Sequence, residues 1–297
     1  MRSDDWSLTD DVDAFLARAG GFLCSRAASH NTALTDIEKL RLRGAGGHGA
    51  DGADGAEYAE DAVFGRLESG GEVRAIFYLT PRGRLGLTSL SGEQTDALAA
   101  RLADLGRAPS NVVADHDTAR AFAESWRRHS GAAAAPFWRA RLYRLGALTP
   151  PGRRAAGRGR GAGHADRGHV VRWCREFCVG VGEQYSIDLI DSGCWAESRF
   201  GDRHFTFWET PDGTPVSMAA VTSIVGGLIR VDPVYTPARF RGRGYAGAVT
   251  DAVSRAALAA GATDVVLFAD PANPTSNALY QRIGYVHVAD FTGYEFF

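Results

Sequence analysis

Arg239, Arg241, Gly242, Arg243 and Gly244 crowd together directly after a β-branched and aromatic run, Leu228 to Thr236. From about Tyr245 the residues are small and helically spaced, with Ala246, Val249, Val253 and Ala260 in phase and Gly261 at the expected helix C-terminus. A strand, a glycine turn and a helix in that order present free backbone N–H groups and a positive dipole end to an anion. Glycine carries no Cβ, so a ligand can lie close to the main chain, and guanidinium forks suit phosphate oxygens. These residues point to a bound pyrophosphate. Pro233 cannot donate to a sheet ladder, so it predicts a bulge or splayed edge inside the run.

Two common nucleotide motifs compete for the same turn. The only lysine is Lys39, which excludes a lysine-dependent P-loop. Gly242-x-Gly244-x-x-Gly247 matches a dinucleotide fingerprint by letters, and Asp270 lies near the distance of a ribose-binding acid, so that reading stays open.

Arg239-x-x-Gly242-x-Gly244 has the spacing of the [QR]-x-x-G-x-[GA] motif of the GNAT (general control N-acetyltransferase-like) superfamily. Asn273-Pro-Thr-Ser-Asn277-Ala-Leu-Tyr280-Gln-Arg-Ile-Gly284-Tyr285 resembles that family's N-x-x-x-x-x-x-Y-x-x-x-G-[FY] segment, in the family's order. The resemblance covers about residues 163–297. It implies acetyl-CoA in a cleft where two parallel strands splay, its pantetheine along Val234, Tyr235 and Thr236. It implies a pyrophosphate on the amides of Arg241, Gly242, Arg243, Gly244, Tyr245 and Ala246, with Arg239 beside them. Asn273 and Asn277 would border the pantetheine arm, and Tyr280 would protonate the leaving thiolate.

Acyl transfer from a thioester to an amine needs a held donor, a polarised carbonyl, a proton acceptor and a proton donor. Amides freed by a bulge at Pro233–Val234 can polarise the carbonyl, and a phenol suits a thiol leaving group. The sequence offers Glu209 and Asp232 first as bases, with Glu183 and Asp270 behind them and a water chain as an alternative. Trp195, Phe200, Phe207 and Trp208 are candidates for lining an acceptor pocket, or for core. The expected activity is an acyl-CoA-dependent N-acyltransferase acting on a small-molecule amine. A non-catalytic acyl-CoA sensor or interaction protein is the alternative.

Composition narrows the class. The chain has 297 residues, 45% hydrophobic and 23% charged, with a formal net charge of −2, which disfavours general nucleic-acid or membrane affinity. Met218 to Ile229 is too short and too polar to span a bilayer, and the start lacks an apolar run, so a cytoplasmic protein is expected. Cys24, Cys174, Cys178 and Cys194 are irregularly spaced, and no metal is expected. A monomer or homodimer, without nucleic acid or membrane, fits these features.

The elements that must carry the motifs follow from periodicity. Residues 10–28 and Thr35–Leu42 read as helices, the second with Thr35 and Glu38 as a capping box. Strands are expected at Val63–Leu67, Val73–Thr80 and Leu85–Leu90, then a helix Glu93–Leu105, strand Asn111–Ala114, helix Asp117–His129 and strand Phe137–Leu145. The second half repeats this order: helix Asp166–Val179, one or two short helices in 183–199, a hairpin Phe205–Glu209/Pro215–Thr222, then the glycine-turn unit. Strand Asp264–Ala269, a helix capped by Thr275 and ending at Gly284, and strands Tyr285–Ala289 and Tyr294–Phe297 complete it. The fold class is α/β (α+β): two tandem GNAT-like domains, each a mixed, mostly antiparallel sheet flanked by helices with a splayed strand pair. Residues 1–148 resemble a degenerate copy, expected to be structural or a wall of the acceptor site, since its corresponding turn, Leu90-Ser-Gly-Glu-Gln-Thr-Asp, has one glycine, no arginine and two acids. Residues 149–163, rich in Pro, Gly and Arg, read as a solvated linker whose contact with nucleic acid is disfavoured, and 164–297 as the catalytic domain.

Overall fold

A computed structural model of the chain describes residues 6–45, 62–152, 155–193 and 203–297. These residues divide into two compact units, one of Met1–Leu142 with Val288–Phe297, the other of Tyr143–His287.

In the first unit β1 (Trp6–Thr9), β2 (Val63–Ser69), β3 (Glu72–Leu79), β4 (Arg84–Leu87) and β5 (Asn111–Asp115) lie in that spatial order. All pairs are antiparallel except β4 with β5. Helices α1 (Val12–Ser25), α2 (Asn31–Ala45), α3 (Gly92–Asp104) and α4 (His116–Ser130) belong to the same unit. Its core joins Leu98, Ala99 and Leu102 of α3 and Ala119, Phe122 and Trp126 of α4 to Phe77, Leu85 and Val112 of the sheet. These positions recur every three or four residues in the helices and alternate in the strands, which is why the periodicity located them. Asp11, inside the expected span of 10–28, caps α1, which runs only from Val12 to Ser25. Helix α2 begins before Thr35, whose hydroxyl donates back to the Asn31 and Thr32 carbonyls, so Thr35 is an interior residue and not a cap.

Strand β6 (Ala134–Leu145) leaves the first unit at Leu142, and the second unit begins with its last three residues. There follow β7 (Arg158–Gly161), α5 (Arg167–Val181), α6 (Gln184–Asp191), β8 (Arg203–Glu209), β9 (Pro215–Thr222) and β10 (Leu228–Tyr235). Then come α7 (Tyr245–Ala259), β11 (Asp264–Ala269), α8 (Pro274–Arg282) and β12 (Tyr285–Phe296). The order of strands in this unit is β11-β10-β9-β8-β7, with β10 and β11 parallel and the others antiparallel. One core packs Val249, Val253 and Ala257 of α7 with Ile229, Val231, Val265 and Leu267. A second packs Trp173, Cys174 and Cys178 of α5 with Phe205, Phe207 and Met218, which accounts for those thiols as packing groups.

Three departures from the pattern reading have plain causes. Part of the Gly/Arg stretch is the edge strand β7, because Arg158–Gly161 pairs with Thr206–Glu209 and Arg160 meets the buried Glu209 and the half-buried Asp166 there. Helix α8 is capped by Asn273, which accepts from the Ser276 amide, with Pro274 in the first turn where its missing N–H costs nothing; Thr275 is inside the helix. Tyr285 to Phe296 is one strand, whose residues Phe291–Glu295 pair with β5, so Gly293 interrupts nothing.

Candidate functional site

The site begins where β10 and β11 stop pairing. Their parallel register runs from Leu228↔Asp264 to Val231↔Leu267 and is recorded no further. On the other side of β10 the pairing with β9 shifts between Val231 and Val234, a bulge at the cis Asp232–Pro233 bond. Val234 and Tyr235 then resume pairing with Ala219 and Met218, and Ser217 Oγ donates to the Tyr235 carbonyl at 3.0 Å. Strand residues alternate their backbone groups between the two edges. Val234 and Thr236 therefore turn theirs toward the side where β11 has diverged.

Past Thr236, a single 3₁₀ turn (Ala238–Phe240) leads to Gly242 and Gly244, at φ 75° and 84°. That left-handed region is costly for any residue with a Cβ, so two glycines here are a backbone requirement. Gly244 starts α7 with no side-chain cap. Ala248 is the first residue of this stretch to donate into the helix, at 3.0 Å to the Gly244 carbonyl. Among the described residues, no acceptor is recorded for the amides of Gly242, Arg243, Gly244, Tyr245 or Ala246. Arg241 Nε donates to the Thr236 carbonyl at 3.0 Å, closing the turn, and Arg239 lies over the Phe240 ring at 4.7 Å. Arg239, Arg241 and Arg243 are exposed. Bare amides, a helix N-terminus equivalent to roughly half a positive charge, and three guanidinium groups form a cradle for a polyanion. The cradle fits a diphosphate.

Helix α8 borders the same strands and carries Tyr280, which is buried between Tyr143 and Tyr285, ring centroids 6.4 and 6.1 Å away. Burial raises its phenol pKa well above the ordinary tyrosine value, with smaller contributions from Tyr285 and the Asp232 carboxylate. The Tyr280 hydroxyl therefore keeps its proton throughout the neutral range. Asn273 spends its side chain on the helix cap. Asn277 is also occupied: it accepts from Tyr143 Oη at 2.8 Å and donates to the Asp270 and Asn273 carbonyls at 2.8 and 2.6 Å. The two asparagines thus shape α8 and the end of β11, with the Asn277 amide fully committed and Asn273 exposed.

The two carboxylates singled out as bases lie in different settings. Asp232 is half-exposed, paired with Arg203 at 3.0 Å, and Arg203 also donates to the Asp232 carbonyl. Glu209, at the end of β8, is buried and held by Arg160 Nε at 2.6 Å. Arg160 also makes a two-pronged contact with Asp166, at 2.8 and 3.0 Å. Glu183 accepts from the Ser186 hydroxyl, and Asp270 accepts from the Ala272 amide. Phe207 is core, Trp208 donates to the Ala156 carbonyl, and Trp195 and Phe200 lie outside the described residues. Tyr235, by contrast, reaches Glu176 of α5 at 2.6 Å, and burial followed by this bond pushes its phenol up to about 12. Among the described residues, no group of three or more His, Cys, Asp or Glu has metal-binding geometry, and no helix is long and apolar enough to cross a membrane.

The Arg160 contacts make two stability predictions. Arg160→Met leaves the Glu209 carboxylate buried without its cation. The expected loss is about 2–3 kcal/mol, below the figure for fully buried pairs because Arg160 is partly solvated, and denaturant titration measures it. Asp166 has its pKa lowered to about 2, first by the Arg160 hydrogen bonds. A carboxyl lowered on folding stabilises above its unfolded value and loses that contribution as pH falls through its folded one. Melting temperature should therefore drop between about pH 4 and pH 2. Asp166→Asn should flatten that part of the profile.

Comparison with known proteins agrees with this geometry. An FR47-like protein family model matches residues 220–292, the span from β9 through the cradle and α8 to β12. A GCN5-related N-acetyltransferase from Sphaerobacter thermophilus superposes with TM-score 0.56 at 15% identity, covering 97% of this chain and 94% of the other. One from Kribbella flavida gives TM-score 0.50 at 19% identity, over 74% and 86%. A tandem GNAT protein from the clavulanic acid biosynthesis pathway gives TM-score 0.50 at 13% identity, over 90% and 95%. No curated protein matches the chain. Residues 220–292 are similar to the FR47-like protein family, and the chain has the fold of the GCN5-related N-acetyltransferases, the tandem form included.

Proposed function

We propose that this protein is an acyl-CoA-dependent N-acyltransferase, with acetyl-CoA as donor and a small-molecule amine as acceptor. The observation that carries the reading is the run of unpartnered amides from Gly242 to Ala246 at the start of α7. A diphosphate satisfies those donors, and Arg241 and Arg243 add fixed positive charge beside them. Pantetheine runs along the β10 edge at Val234 and Thr236, using the backbone groups that β11 no longer pairs. Bound there, the carrier supplies a thioester carbonyl, which the amide of Val234 at the bulge can polarise.

The neutral amine attacks that carbonyl, the C–N bond forms and the C–S bond breaks. Tyr280 gives its proton to the departing sulfur, a role its burial suits because the phenol stays protonated. The amine's proton leaves to Asp232, to Glu209 or to solvent. Asp232→Asn and Glu209→Gln distinguish these routes: the variant that loses turnover without losing donor affinity identifies the base.

The pairing of both carboxylates with arginines favours a second reading, a non-catalytic acyl-CoA sensor. Thiol release from acetyl-CoA with a panel of primary amines separates the two. Release that depends on an amine supports the enzyme; binding of acetyl-CoA with no release across the panel overturns it in favour of the sensor.

A further inference from the structure

Helix α8 has only nine residues, too few to stand alone. Something must fix it if one of its side chains is to protonate a sulfur with useful accuracy. The contacts that do so come from a segment far away in sequence, Tyr143 to Thr149. Tyr143 Oη donates to Asn277 Oδ1 at 2.8 Å, one turn before Tyr280. The Gly146 amide donates to the Gly284 carbonyl at 2.9 Å, and the Thr149 amide to the Ile283 carbonyl at 3.0 Å. The segment therefore grips the helix in its middle and at its C-terminal end.

Two features show how closely the parts fit. Gly284 has φ 101°, and a Cβ there would stand 1.9 Å from the Ala147 carbonyl oxygen, so this glycine ends the helix and also admits the segment. Asn277 has both its amide hydrogens and its oxygen committed, to Asp270, Asn273 and Tyr143. Removing the Tyr143 hydroxyl leaves a buried acceptor with no donor.

The three packed tyrosines also divide their work. Tyr143 donates to Asn277, and Tyr285 exchanges a 2.7 Å hydrogen bond with Ser254 of α7. For the Tyr280 hydroxyl no partner is recorded among the described residues. One phenol holds the helix, a second ties β12 to α7, and the third keeps its O–H available.

We infer that Tyr143 is a positioning residue, which with Gly146 and Thr149 clamps α8 so that the Tyr280 hydroxyl is aimed at the departing sulfur. This rests on the acyltransferase reading of the same site. Tyr143→Phe keeps the ring and its packing against Tyr280 and removes only the hydrogen bond.

The test uses the full chain, acetyl-CoA and the primary amine from the panel that gives most thiol release. Tyr143→Phe should lower kcat about tenfold while KM for acetyl-CoA stays within about twofold. Amide hydrogen exchange across residues 277–283 should become faster, with exchange in α7 unchanged. In a Tyr280→Phe background the Tyr143→Phe substitution should have no further effect on kcat, because there is no hydroxyl left to aim. Normal turnover by Tyr143→Phe overturns the clamp, as does an equal loss of kcat and acetyl-CoA affinity, which marks a general structural defect. Undiminished turnover by Tyr280→Phe would instead remove the assigned acid. Absence of thiol release by the unaltered protein would overturn the enzyme reading itself, and the clamp's catalytic role with it.

Discussion

Gly244→Trp weakens acetyl-CoA binding by at least about a hundredfold, the loss expected when two or more charge-assisted hydrogen bonds to a diphosphate go unmade. The indole fills the space over the amides of Gly242 to Ala246, and the left-handed φ of 84° adds backbone strain. The turn is exposed, so the protein stays folded and its melting temperature falls by only a few degrees. Isothermal titration calorimetry measures the affinity, and circular dichroism checks the fold. The affinity of the unaltered protein should also fall with added salt, since three exposed arginines and a helix end supply much of the attraction. Retained binding by Gly244→Trp would move the carrier to another part of the molecule.

Tyr280→Phe has the second large effect. Loss of a positioned general acid lowers turnover by about 10²–10³-fold. Donor affinity changes little, since the ring and its neighbours remain. The pH profile carries a further signature. An ordinary tyrosine would begin to lose its acid function near pH 10, whereas burial raises the Tyr280 pKa above that. Turnover of the unaltered protein should therefore show no alkaline fall attributable to this phenol below about pH 10, within the range where the protein stays folded. Amine-dependent thiol release against pH measures both expectations. Equal turnover by Tyr280→Phe would transfer the acid role to another group or to water.

What the sequence disclosed about this site was local. Leu228 to Ala246 announces itself through Pro233, two glycines and three arginines, each forcing a backbone or charge property within a few residues. The strand, bulge, turn and helix accordingly appear where the pattern put them. Asn273 and Tyr280 were legible only through the family resemblance, whereas Gly284 could be read as a helix terminus because that is a short-range feature.

Long-range partners left no such mark. Nothing near Asn277 in sequence tells that Tyr143, 134 residues away, occupies its oxygen. Nor does the composition of 149–163 reveal that Arg160 neutralises Glu209. Gly lowers the intrinsic tendency to form a strand, and an edge position beside the buried Glu209 overrides it. The unit boundary at Leu142 and Tyr143 falls inside a continuous strand, with no turn residue to mark the crossing. Thr275 and Asn273 are both capping residue types, and Pro274, which suits the first helical turn, leaves Asn273 in the capping position.

The corresponding helix start in the first unit is built differently. Helix α3, which follows β4 as α7 follows β10, opens with a capping box: Ser91 accepts from the Gln94 amide, and Gln94 accepts from the Ser91 amide. Ser89 donates to Asp115, and the Leu90 amide donates to Thr118, tying the ends of β4 and β5 together. Its helix end is satisfied by its own side chains, whereas the start of α7 is bare.

A crystal structure of the protein with CoA tests the central claim most directly. The account predicts density for the diphosphate on the amides of Gly242 to Ala246, with the sulfur between β10 and β11 and within reach of the Tyr280 hydroxyl. Density for the carrier elsewhere, or a diphosphate that leaves those amides untouched, would contradict it.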